Sequence, residues 1–143
     1  MDKIALSRIT AFADPALLQS LAERAAAGKE ALILKGPEKT MILIQIKEPV
    51  RQDRFYLGEA LAAHCVVELG GVRGAAVQLG DDLRRAEASA ILDAAHSGGF
   101  AGFSRIEEEL LHIDEERKRC LAREAALARE TQVAFHVLED REL

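Results

Sequence analysis

The sequence predicts an α+β fold, a mostly antiparallel sheet with helices packed on one face, and three observations carry that prediction. Short apolar runs rich in β-branched residues follow one another between about residues 30 and 80, divided by Gly and Pro. Segments with apolar residues at helical spacing flank that stretch on both sides. One of the flanking segments is dense in alanine (86, 88, 90, 94 and 95), which lets a helix approach a sheet closely.

In chain order, Ile4, Leu6, Ile9 and Phe12 open with a short helix. Asp14-Pro15 marks the next helix start, because Asp caps free N–H groups and Pro fits the first turn. Leu17, Leu18, Leu21 and Ala25 carry that helix to a stop at Gly28. Ala31 to Leu34 reads as a strand ended by Gly36-Pro37, and Met41 to Ile46 as a second strand bounded by Pro49. Arg54 to Gly58 makes a third, and Leu61 to Leu69 a fourth or its continuation. Gly70-Gly71 suits a two-residue hairpin turn into a further strand, Val72 to Leu79. The expected sheet is thus a meander of about four to five strands plus a C-terminal one.

Gly80-Asp81-Asp82 then opens a helix to about Ala95, broken by His96-Ser97-Gly98-Gly99. Ser104 and Glu107 resemble a capping box that starts one long helix near residues 105–129. Its stripe is Ile106, Leu110, Ile113, Cys120 and Leu127, with Asp114→Lys118 and Glu115→Arg119 pairs on the wet side. Val133, Phe135 and Val137 alternate in a last strand.

Composition narrows the function classes. At 143 residues, one domain spanning 1–143 is expected, with a real core. Hydrophobic residues reach 49% but aromatics only 4%, with no Trp, so that core is aliphatic. The 19 basic and 24 acidic residues leave a net charge of −5 with no basic block, which argues against a nucleic-acid partner. The N-terminus lacks signal-peptide character and no apolar run is long enough to span a membrane, so a cytoplasmic location is expected. Cys65 and Cys120 have no CxxC spacing and read as small core residues suited to a reducing compartment.

No residue set composes a complete active site. His64, His96, His112 and His136 are scattered, without the spacing that puts two ligands on one helix face, so no metal is expected. Asp81-Asp82 and Glu107 to Glu109 sit where helix dipoles favour acids. Gly70-Gly71 and Gly98-Gly99 fit neither phosphate-binding glycine motif.

Two clusters stand out. Arg54-Phe55-Tyr56-Leu57-Gly58-Glu59 joins two aromatics, a glycine and an acid where a strand bends, and the glycine suggests a bulge or the close approach of another backbone. Arg84-Arg85-Ala86-Glu87, followed by Asp93, places charges on a helix otherwise small or apolar; Glu87 and Asp93 do not share a face. Arg54, Tyr56, Gly58, Arg85 and Asp93 are therefore candidates for substrate or partner contact, and Glu59 and Glu87 for a catalytic base or orienting group.

These clusters also carry a resemblance. Arg54-Phe55-Tyr56-Leu57-Gly58-Glu59-Ala60, then Val72-Arg73-Gly74, then the helix from Arg85 to Ala94 resemble the PhnG family, in which an R-F-[FY]-x-G-[DE] strand precedes a glycine-containing strand and a helix of the form A-E-x-x-A-x-x-D-A. The D-P-A-L-L helix, the T-M-I-L-I-Q-I strand and the closing T-Q-V-A-F-H-V segment fall in the family's order. The resemblance implies a subunit of the bacterial carbon–phosphorus lyase core complex, beside subunits H, I and J. With I, H and L it implies support for making α-D-ribose 1-methylphosphonate 5-triphosphate from ATP and methylphosphonate. In that family nucleosidase chemistry belongs to I and radical carbon–phosphorus cleavage to the iron–sulfur J subunit, so no cofactor is expected in this chain. The competing readings are a catalytic contributor through Glu59 or Glu87 and a homo-oligomeric α+β binding or scaffold protein; self-association is expected either way.

Overall fold

The computed structural model describes residues 1–134. Its elements run α1 (Lys3–Phe12), α2 (Pro15–Ala26), β1 (Ala31–Lys47), β2 (Arg54–Leu69), β3 (Val72–Leu79), α3 (Leu83–Ser97) and α4 (Phe103–Glu130). The strands form one antiparallel meander in the order β1-β2-β3, so the α+β class holds.

The strand count differs from expectation: three long strands replace four or five short ones. Gly36-Pro37 does not end the first strand; it sits inside β1, where the register against β2 shifts between Lys35 and Glu38. Gly36 adopts φ +75°, and a Cβ there would lie 2.5 Å from the His64 carbonyl oxygen, so glycine lets the ladder absorb the irregularity. The segment Leu61 to Leu69 is the continuation of the strand from Arg54, the two forming β2 with a bulge at Leu57. Gly70 and Gly71, both at positive φ, make the tight turn into β3. The expected C-terminal strand is only begun within the described residues, where Val133 and Ala134 are not strand; Phe135, His136 and Val137 lie outside them.

Helix starts follow local chemistry. The Asp14 carboxylate accepts the N–H groups of Ala16 and Leu17 at 3.0 Å each, with Pro15 opening α2. Asp82 caps α3 by accepting the Arg85 N–H at 3.0 Å. The capping box expected at Ser104 does not form: α4 starts at Phe103 behind Gly102, which has φ +88°, and Ser104 is already helical.

The helices cover one face of the sheet. Ala63, Cys65, Val67 and Leu69 of β2 point into a core with Leu18, Leu21, Leu92 and the buried alanines of α3. Gly74 of β3 is where α3 presses closest: a Cβ there would run into the Ala90 carbonyl and Ala94. Inside this contact Gln78 donates to the hydroxyls of Thr10 and Ser89 at 3.1 Å each, so its buried amide is satisfied.

The α4 stripe is buried only over its first turns, at Phe103, Ile106 and Leu110. Cys120 and Leu127, expected in the core, are exposed. The reason is length: 28 residues of helix span about 42 Å, while the 10-residue α1 spans about 15 Å and the 12-residue α2 about 18 Å, too short to cover it. Asp114 corrects the expectation of a wet side, since it is 5% exposed and holds both Arg8 at 3.0 Å and Lys118 at 2.6 Å. Lys118 draws the Asp114 carboxyl below the usual range, with help from Arg8.

Candidate functional site

The β1–β2 hairpin outruns the rest of the sheet. Pairing with β3 ends at Ala62↔Leu79, but β1 and β2 remain paired from Met41↔Leu61 to Lys47↔Arg54. The result is a two-stranded arm of about 20 Å. Its tip is closed by Glu48, whose carboxylate accepts the N–H groups of Val50 at 2.7 Å and Arg51 at 2.6 Å. Among the described residues no helix covers the arm, and Met41, Leu43, Phe55, Tyr56 and Leu57 are each 45% to 64% exposed.

Gly58 and Tyr56 face Ile44 and Gln45, so Leu57 has no partner across the ladder. This is the bulge the sequence suggested. The other suggestion, a close backbone approach at Gly58, fails: nothing lies within 4 Å of a Cβ placed there. The bulge has a consequence for facing. Because directly opposed residues share a face, Glu59 (opposite Leu43), Tyr56 (opposite Gln45) and Arg54 (opposite Lys47) all lie on the helix side of the ribbon.

The α3 candidates occupy a different place. The Arg85 guanidinium Nη1 donates to the carbonyls of Thr10, Ala11 and Ala13 at 3.1, 3.0 and 2.8 Å, closing the C-terminus of α1. Asp93 accepts the Ala75 N–H at 3.0 Å and pairs with Lys3 at 3.3 Å. Glu87 is half-buried, forms no ion pair among the described residues, and lines a cleft of about 730 Å³ with Pro15, Ala16, Gln19, Asp82 and Arg84. Burial, with a contribution from Glu87, pushes the Cys65 thiol up to about 11.

Glu59 and Glu87 are not brought together. Glu59 stands on the arm and Glu87 on α3, and no hydrogen bond or ion pair links either to the other's neighbours among the described residues. His64 pairs with Glu38 at 3.2 Å, His96 takes the Met1 carbonyl at 2.9 Å, and His112 sits 3.7 Å from Glu116. Among the described residues no three His, Cys, Asp or Glu side chains converge on a metal position, and no helix is long and apolar enough to cross a membrane.

A second surface escaped the sequence reading: a groove of about 630 Å³ between α1 and β3, lined by Lys3, Ile4, Ser7, Arg8, Ala11, Phe12, Val77, Gln78 and Leu79. The signal was there. Ile4 and Phe12, eight residues apart, share one helix face, whereas Leu6, Ile9 and Ala13 make the buried one.

Residues 3–139 match a family model described as phosphonate metabolism protein PhnG. No curated protein matches the sequence.

Proposed function

The chain belongs to the PhnG family of phosphonate metabolism proteins, and from that premise we propose that it is an assembly subunit of a carbon–phosphorus lyase system. In this reading it works with subunits H, I and J, and with L, in forming α-D-ribose 1-methylphosphonate 5-triphosphate from ATP and methylphosphonate, and leaves the bond chemistry to its partners.

The observation that carries this reading is the arm. A two-stranded ribbon alone is marginal in water. This one also leaves Leu43 and Tyr56 more than 60% exposed, where a monomeric protein would hide them. Such a surface is intelligible as half of an interface.

The test is reconstitution. Co-expression with H, I, J and L should yield a complex that retains this chain, and leaving it out should abolish triphosphate formation. The isolated protein should turn over neither ATP nor methylphosphonate. Undiminished product formation by the remaining subunits would refute the proposal.

A further inference from the structure

The groove between α1 and β3 has one wall made of unpaired backbone. The Ala75 N–H donates to Asp93 at 3.0 Å, so it points away from β2. In an antiparallel strand the N–H and C=O of one residue point to the same side, and the side alternates along the chain. The backbone groups of Val77 and Leu79 therefore also point outward, into the groove. Gly80 supports this parity, because its N–H donates inward to the Leu61 carbonyl at 2.9 Å.

Among the described residues the edge is thus closed at Ala75 by a carboxylate and left open at Val77 and Leu79. Open sheet edges invite strand pairing, and proteins usually block them. The opposite wall presents Ile4, 79% exposed, and Phe12, 58% exposed, with the Arg117 guanidinium 3.4 Å over the centre of the Phe12 ring. Eight helical residues separate Ile4 from Phe12, about 12 Å, which is the span of about four residues of extended chain. Lys3 and Arg8 stand on the rim, each already held by a carboxylate of this chain, Asp93 at 3.3 Å and Asp114 at 3.0 Å.

We propose that this groove accepts one extended segment of a partner protein, added to β3 as a fourth strand through the backbone of Val77 and Leu79. The segment carries apolar side chains for Ile4 and Phe12. A second copy of this chain fits less well. Across a two-fold axis an opening of two residues offers far less than the roughly 800 Å² per partner of a stable interface. Strand addition is a known mode of peptide capture, with backbone bonds supplying affinity and alternate side chains specificity. The proposal rests on the assembly reading and names a contact within it, separate from the arm.

Hydrogen exchange on the protein alone and co-purified with subunits H, I and J tests it. The Val77 and Leu79 amides should exchange at least tenfold more slowly in the complex. Val77→Pro should leave the fold intact, because its N–H makes no ladder bond and edge strands tolerate proline there; it should weaken assembly at least tenfold, whereas Val77→Thr assembles as wild type. Equal exchange of both amides in the free and assembled wild type would overturn strand addition while leaving the assembly reading standing, and so would wild-type affinity in a folded Val77→Pro. Slowing of the two amides with rising concentration of the isolated protein would assign the groove to a second copy and overturn the partner segment. Failure of the wild type to co-purify at all would remove both proposals.

Discussion

Replacing Arg85 by Met should unlatch α1 from α3. One guanidinium nitrogen serves three carbonyls, those of Thr10, Ala11 and Ala13, at 2.8 to 3.1 Å. That nitrogen has only two hydrogens, so the three contacts amount to two shared bonds. Bonds from a charged donor contribute about 1.5–3 kcal/mol each. The Arg85 side chain is 17% exposed, so water can reach part of what the substitution uncovers. A loss of about 3 kcal/mol follows, from the lower part of that range for two bonds. For a chain of this size, that should lower the melting temperature by about 10 °C. Arg85→Lys should fall between, because an ammonium keeps the charge but cannot reproduce the fork. Thermal melting followed by circular dichroism, with co-purification alongside, reads both effects. If Arg85→Met melts within about 2 °C of wild type yet fails to assemble, Arg85 is a partner contact and the capping argument is wrong.

Acid should loosen the α1–α4 contact through Asp114. Its carboxyl is lowered in the folded protein by Lys118 and Arg8, so its contribution is complete above the unfolded value of about 3.9 and is lost as pH falls through the lowered folded value. Urea unfolding at pH 6 and pH 3 should therefore show a larger loss for wild type than for Asp114→Asn; equal losses would count against it. Cys65, with its thiol pushed up to about 11, should resist iodoacetamide at pH 8 in the folded protein, while exposed Cys120 is alkylated; mass mapping that finds both modified at similar rates would reject the burial argument. Glu59→Ala and Glu87→Ala should impair assembly or synthase activity more than Glu108→Ala, which removes one exposed charge and should cost only a few tenths of a kcal/mol. Indistinguishable behaviour of three folded variants would dismiss both carboxylates.

Where the determinant is local, the fold is legible in the sequence. Asp14-Pro15 and Asp82 announce their helices because a cap acts within three residues, and Gly70-Gly71 announces its hairpin for the same reason. The misreadings come from glycines whose role is set across the sheet. Gly36-Pro37 has the composition of a turn, and only the nearby carbonyl of His64 in β2 shows that it sits within a strand. Helix α4 makes the same point in reverse. Its apolar stripe is real, but burying Cys120 and Leu127 would need neighbours longer than α1 and α2.

The site divides along the same line. On α3, Arg85 and Asp93 looked like surplus charges on an alanine helix, yet their partners, Thr10 to Ala13 for one and Ala75 with Lys3 for the other, are remote in sequence. The arm was legible as a cluster because Phe55, Tyr56 and Leu57 form an apolar run that ought to be buried. What could not be read is that this chain does not bury it. Its own core is built largely from small side chains, among them Ala63, Ala86, Ala90, Ala94 and Ala95, while Leu43, Phe55, Tyr56 and Leu57 stay outside. Fully covering a large apolar side chain contributes about 1.5–3 kcal/mol. Since these side chains are 45% to 64% exposed, a partner that closes over three of them gains about 2–5 kcal/mol, at most the low end of a domain's whole stability. On the assembly proposal, the arm is therefore the surface whose covering a partner would gain most from.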